Sequence, residues 1–261
     1  MMRSSSLLLL GVLVLAGSVQ GIFRPPRPYG GGDHCEQDPT TKKSTSTSTT
    51  TTTTTTTTTV PTTTTTAQKT CPEGFTLFDR TPSASNLETS AWCLKVAVQE
   101  DPIAVSSADA LCAAQADGAV LSAMQQDSER TFVYQATLRA VVSNGFNSGA
   151  IAVDGRRTTQ CTTRNRTVLD MAPCNQPDQI YYLRDGHTDP SYMWSHWAAN
   201  EPSTNMWTYD IESCLQYAVI PSNPQRNSLL NDIYCDFIQP PNDPTYTLYW
   251  NFGALCGVAP K

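Results

Sequence analysis

The sequence predicts an α+β domain: two helices and short antiparallel strands around a long loop region, stapled by disulfides. Three observations carry this. Eight of the nine cysteines lie at or beyond Cys71. Two stretches of helical periodicity, residues 107–116 and 128–141, fall early in the same region. Beyond Gly155 that periodicity stops, and Pro, Asn, Asp and Gly recur every few residues up to Asp243, the pattern of long loops joined by short strands.

The disulfide reading depends on compartment, which the N-terminus addresses. Residues 1–21 open with Arg3, run through the apolar stretch 7–16 and end in Gly17, Ser18 and Gly21. This is the build of a secretory signal, with cleavage expected between Ser18 and Gly21, and its apolar run is shorter than the ~20 residues a bilayer span needs. The alternative is an uncleaved anchor. No second long apolar run is present, and residues 253–261 lack the hydrophobic tail of a lipid-anchor signal. The expected product is secreted and extracellular, without a membrane span, in an oxidising compartment where cysteines pair.

Residues 22–70 have too few apolar side chains for a core. Pro25, Pro26, Pro28 and the Gly30-Gly31-Gly32 run lead into a threonine tract over residues 40–66. Dense Thr and Ser reads as a mucin-like, O-glycosylated stalk, with a bare flexible linker as the alternative. The folded domain is placed at residues 71–260, opening on Cys71-Pro72-Glu73-Gly74-Phe75.

Within it, Phe75, Leu77, Trp92, Leu94 and Val96 supply the alternation of short strands. Ser107 is placed as the N-cap of a first helix carrying Ala108, Leu111, Cys112 and Ala116, stopped by Gly118. Residues 119–121 form a brief strand. A second helix opens at Ser128 with Glu129 in its first turn, buries Phe132, Val133, Ala136, Leu138 and Val141, and ends at Asn144-Gly145. Residues 150–153 make a strand closed by a turn at Asp154-Gly155, and further strands are expected at residues 180–183, 215–220 and 246–250.

The net charge of −6 and the lack of clustered Lys and Arg exclude nucleic acid as a partner. No enzyme is expected. His34, His187 and His196 have no metal-ligand spacing, and no Gly-x-Ser-x-Gly elbow occurs. The stretch 197–235 holds more interest. Glu201-Pro202-Ser203, Glu212-Ser213-Cys214 and Leu230-Asn231-Asp232 ahead of Cys235 place carboxylates and an amide near the ends of a cysteine-bracketed loop. Such hard oxygens suit calcium, although acidic loop residues are also commonly just solvated.

Taken together, the Cys-Pro-x-Gly-Phe opening, Trp92-Cys93-Leu94, Cys112 in the first helix, Asp185-Gly186 and the block Trp197-Ala198-Ala199-Asn200-Glu201-Pro202 resemble the C-type lectin-like domain in its long form. The likeness covers about residues 71–257. It implies pairing of Cys71 with Cys93, Cys112 with Cys256, Cys161 with Cys174 and Cys214 with Cys235, which cysteine counting alone leaves open. It also implies calcium held by Glu201, Ser203, Glu212, Asn231 and Asp232, with a carbohydrate ligand on Glu201, Ser203, Glu212 and Asn231, a cis Pro202, and a mannose-like preference following Glu201-Pro202. The alternative is a calcium-independent module for a protein or other ligand.

Two residues depart from that pattern. Ser203 stands where asparagine is usual, with Asn205 nearby as a candidate substitute, and Leu230 stands where tryptophan usually precedes Asn-Asp. Gln176-Pro177-Asp178, a galactose-type signature elsewhere in the family, lies out of register and is read as a loop turn. Asn165-Arg166-Thr167 is an N-glycosylation acceptor.

Cys35 is left over, which points to a disulfide with a second copy or another partner, or to a capped or buried thiol. If the first holds, the secreted chain runs at a higher mass on a non-reducing gel than on a reducing one; a single band at monomer mass excludes it.

Overall fold

The computed structural model of the chain describes residues 68–206, 210–238, 247 and 250–261. The expected signal segment, residues 22–67 of the expected stalk and Cys35 lie outside the described residues.

The described residues form one mixed sheet of eight strands: β1 (Thr76–Asp79), β2 (Ala91–Ile103), β3 (Val120–Leu121), β4 (Gly149–Arg157), β5 (Tyr181–Tyr182), β6 (Cys214–Val219), β7 (Leu229–Ile233) and β8 (Asn251–Val258). The main path runs β1-β2-β8-β4-β6-β7, with β3 on β8 and β5 on β4. All pairings are antiparallel except β4 with β8. The helices are α1 (Ala108–Ala113), α2 (Asp127–Ser143), α3 (Arg166–Leu169) and α4 (Pro190–Trp194). Leu94, Val133, Ile151, Val153, Leu215, Tyr217, Leu230 and Leu255 close the main core between sheet and helices.

The last strand, β8, is the innermost. All eight of its residues are buried, as befits a strand covered on both faces. The strand expected at 246–250 falls mostly outside the described residues, and the regular pairing starts at Asn251.

The first helix is shorter than its alanine-rich sequence suggests and ends at Ala113. Ser107 stands at its N-cap position, but its hydroxyl donates back to the Ala104 carbonyl (2.8 Å), closing a 3₁₀ turn instead of capping the helix. In α2 the buried face is Glu129, Val133, Thr137, Ala140 and Val141. Phe132, Ala136 and Leu138 lie at its partly buried margins. The rotation relative to the expected apolar face has a polar cause: Glu129 is drawn inward onto Arg80 at 2.7 and 2.9 Å. Arg80 also donates to the carbonyls of Ala123 and His187 and to Thr188 Oγ1, so both buried charges are fully engaged.

Asp154-Gly155 is a bulge inside β4 rather than a turn. Gly155 has φ +152°, and a Cβ there would stand 2.2 Å from Leu215 Cδ1, so only glycine fits. The Asp154 carboxylate gathers the backbone N–H groups of Arg184 and Asp185 and the Arg184 side chain. Bulges re-aim side chains along a strand, and after this one Arg157 turns into the interior.

Four disulfides join Cys71–Cys93, Cys112–Cys256, Cys161–Cys174 and Cys214–Cys235. Cys112–Cys256 spans 144 residues and ties α1 to β8; a loop that long gives about 5 kcal/mol in the chain-entropy account.

Glu129→Ala strands the Arg80 charge in the interior. Urea unfolding with disulfides intact is expected to show a loss of about 3–5 kcal/mol, and a loss below about 1 kcal/mol contradicts the assignment.

Candidate functional site

The site begins with a backbone zipper. Leu230 N–H donates to the His196 carbonyl (2.8 Å), and Ala198 N–H to the Leu230 carbonyl (2.9 Å), so residues 196–198 run alongside β7. Leu230, 1% exposed, occupies this seam. The pairing sets Glu201 beside Asn231 and Asp232, across the cis Glu201–Pro202 peptide.

Asp232 organises the loop packed against it. One of its oxygens accepts from Ser203 N–H (2.9 Å), the other from Thr204 N–H (3.0 Å) and the Tyr181 hydroxyl (3.0 Å). Arg157 stands 3.3 Å from the latter oxygen, both side chains fully enclosed. Arg157 also donates to the Glu212 carbonyl (2.6 Å) and to Tyr181 Oη (2.8 Å), and lies over the Tyr181 ring. Burial, then the neighbouring Asp232 carboxylate, holds the Tyr181 hydroxyl protonated far above its ordinary range, which keeps it a donor.

Glu212 reaches the same spot from just ahead of β6. Its Oε2 accepts from the Ser203 hydroxyl (2.8 Å) and from Asn205 N–H (2.9 Å). Asn205 thus enters through its backbone, and its side chain is exposed. Ser203 joins two carboxylates at once, with its hydroxyl on Glu212 and its amide on Asp232.

On the far side, Glu201 Oε1 meets Arg226 at 3.1 Å, while Glu201 Oε2 is buried with no hydrogen-bond partner. Arg226 also donates to Asn231 Oδ1 (3.1 Å), and Asn231 Nδ2 donates to the Asp232 carbonyl (2.7 Å). Glu201, Ser203, Glu212, Asn231 and Asp232 therefore do converge. Burial, then the Asp232 carboxylate, pushes Glu201 and Glu212 each up to about 7.

Among the described residues, no group of three or more His, Cys, Asp or Glu side chains stands as a ready metal cage. Asp232 is saturated by protein donors and Arg226 covers Glu201 Oε1 and Asn231 Oδ1. The chemistry of the set nonetheless fits calcium: every donor is a hard oxygen, and Glu201 Oε2 is an orphaned, enclosed carboxylate oxygen. Beside Pro202, Ser203 and Thr204 runs a groove of about 200 Å³, bounded opposite by Arg166, Asn175 and Pro177.

Arg157, Tyr181 and Arg226 were missed as site residues. Arg157 had no readable signal, since the bulge decides its direction. Arg226 sits in a polar turn where an arginine is unremarkable.

The remaining candidates lie apart. His187 stacks on Trp92 (4.3 Å), and the His196 ring lies tilted against Tyr192 (4.3 Å). Asn165 caps α3, accepting from Thr167 N–H (3.0 Å), and is exposed. No helix among the described residues is long and apolar enough to cross a membrane.

A disulfide-stapled mixed sheet with this loop site defines a C-type lectin-like domain. The chain belongs to the C-type lectin domain-containing protein 141/158 family, whose profile matches residues 77–259. It is 44% identical over 205 residues to C-type lectin domain-containing protein 141 of Caenorhabditis elegans, covering 74% of this chain and 67% of the relative. It is 35% identical over 192 residues to C-type lectin domain-containing protein 158 of the same organism, covering 73% and 89%. Among solved structures it is similar to human lithostathine (15% identity, TM-score 0.40, 73% of this chain and 91% of that one). It is also similar to the Ca2+-independent C-type lectin SPL-2 from Saxidomus purpuratus (15%, TM-score 0.39, 72% and 93%). Likenesses this distant say nothing of ligand or metal.

Asp232→Ala removes the acceptor of two loop amides and leaves Arg157 buried without its anion. The expected result is a stability loss of about 3–5 kcal/mol, with faster hydrogen exchange at Ser203 and Thr204 than across β2 and β8; unchanged protection at those two amides contradicts the organising role.

Proposed function

We propose that this chain is a secreted carbohydrate-binding protein whose ligand seat is the Glu201, Ser203, Glu212 and Asn231 cluster, with calcium as its inorganic partner. The observation that carries the reading is the oxygen set itself: Ser203 joins Glu212 and Asp232, and the enclosed Glu201 carboxylate beside them keeps an oxygen without a hydrogen bond. Glu201, Glu212 and Asn231 would hold the ion, with Asp232 orienting the loop beneath them. When bound, the ion would supply a Lewis-acidic point for vicinal sugar hydroxyls. The Ser203 hydroxyl donates to Glu212 and the Asn231 amide to the Asp232 carbonyl, so both hold the acids in place around the seat. The neighbouring groove offers Asn175 and Arg166 to a further sugar unit. Family membership supports the lectin reading, and Glu201-Pro202 favours a mannose-like preference.

A second reading, a calcium-independent module binding a protein or another ligand, is favoured by one observation: Arg226 and Arg157 already bring two positive charges to the cluster.

Calcium at ten times its Kd stabilises the folded chain by roughly 1.4 kcal/mol, raising the melting temperature by about 3–5 °C. Glu201→Gln abolishes that rise and reduces signal on a glycan array. Equal melting temperatures in calcium and in chelator, with glycan binding retained in chelator, remove calcium from the reading and leave the second one.

A further inference from the structure

The turn between β6 and β7 carries Arg226 into the site, and its backbone is tightly held. Asn227 N–H donates to the Asn223 carbonyl (2.8 Å), Arg226 N–H to the same carbonyl (3.0 Å), and Asn223 Oδ1 accepts from Gln225 N–H (3.1 Å). Asn227 Oδ1 accepts from Ile220 N–H (2.9 Å), and the Gln225 carbonyl from Ala199 N–H (3.1 Å). The last contact ties the turn directly to the stretch that presents Glu201. The Arg226 side chain is 28% exposed, whereas the Glu201 side chain it touches is 5% exposed. The anchor is therefore rigid, and the guanidinium at its tip has a path to solvent.

We propose that Arg226 is a tethered cation that occupies the calcium seat and must leave it before calcium binds. The inference rests on the calcium reading above and adds its regulation. Arg226 bridges Glu201 Oε1 and Asn231 Oδ1, each at 3.1 Å, the oxygens that the reading assigns to the ion. A calcium ion and a guanidinium cannot share them. Charge gives the same answer. With all three carboxylates ionised, as a bound cation would hold them, Glu201, Glu212 and Asp232 against Arg157 and Arg226 leave one net negative charge; with Arg226 swung out the count is two, which matches a divalent ion. Arg157 does not move in this exchange, because it is fully enclosed and held by Asp232 and the Glu212 carbonyl.

A second observation points to a ligand here. Glu201 Oε2, on a side chain more than nine-tenths enclosed, accepts no hydrogen bond of ordinary geometry even with Arg226 in place, for the Ser203 hydroxyl beside it donates to Glu212 instead. The fork satisfies one oxygen and leaves the other, so the arginine is an incomplete occupant. Calcium, with six to eight oxygens to collect, takes both.

The test is calorimetric titration of the full secreted chain with calcium chloride at one fixed ionic strength, comparing wild type, Arg226→Gln and Arg226→Lys. Arg226→Gln removes the competing charge and is expected to tighten the calcium Kd about tenfold, the scale of one charge acting at close range in a half-screened site. Arg226→Lys keeps the charge and stays within about threefold of wild type. A wild-type measurement accompanies them: the Arg226 Nε–Hε resonance is expected to shift and exchange faster with solvent at saturating calcium. That signal decides the matter even where Arg226→Gln folds poorly. Calcium binding with the same Kd in all three proteins, or an Arg226 resonance unmoved at saturation, overturns the tethered cation and leaves the calcium reading standing. No calcium binding by any of them overturns both.

Discussion

Asp232 is the residue around which the loop site of this molecule is built. It sits on β7, in register with Leu215 of β6, so the sheet fixes its position. From there its two oxygens collect the amides of Ser203 and Thr204, the Tyr181 hydroxyl and the Arg157 guanidinium. Those donors come from three separate parts of the chain: the loop after the cis proline, β5 and the bulged end of β4. A loop this long has no regular ladder of its own, and its buried amides need acceptors. One carboxylate answers for two of them, and Arg157 makes it tolerable to bury. The Cys214–Cys235 bridge closes the same hairpin from outside, so Asp232 is pinned by the sheet and by covalent bonds.

The electrostatics divide the molecule into two kinds of buried charge. Arg80 and Glu129 are completely satisfied by each other, by two carbonyls and by a hydroxyl. That pair contributes specificity of packing and offers nothing to a ligand. At the loop site the balance is different, for Glu201 keeps an unpartnered oxygen and both Glu201 and Glu212 are pushed up to about 7 by burial and by Asp232. Enclosed carboxylates without enough counter-charge cost stability. Such a cost is borne where the missing partner arrives from outside, which is why the imbalance argues for ligand binding more strongly than the identity of any one acid.

How far the sequence carries depends on what each feature requires. Glu201, Glu212, Asn231 and Asp232 show in the sequence as an oxygen-rich loop, while their grouping as one ligand set, like the pairing of the cysteines, comes only through family resemblance. The long helix α2 was legible from its period, but its buried face was not, since that face is turned by Glu129 answering Arg80, 49 positions away. The helices α3 and α4 were invisible: four and five residues are too few to show a period. Asp154-Gly155 reads as a turn in any local window. Only the neighbouring strand, with Leu215 against Gly155, shows that the chain continues straight. That misreading hid Arg157, because side-chain direction beyond a bulge cannot be found by alternation.

Ser203 is the point at which these threads meet. An asparagine there would offer a carbonyl oxygen to an ion and an amide to a sugar. The serine is too short for both tasks, and its hydroxyl donates to Glu212 while its backbone amide donates to Asp232. It therefore spends its proton on holding the acids together and leaves one fewer side-chain oxygen facing outward. An oxygen lost from the ligand set weakens the case for calcium, and on the far side the side-chain oxygens of Glu201 and Asn231 are the ones that Arg226 meets. The fork of Arg226 lies across those two residues. On the calcium reading proposed above, the short serine and the arginine fork act in the same direction: the first takes a side-chain oxygen from the ligand set and the second covers two more.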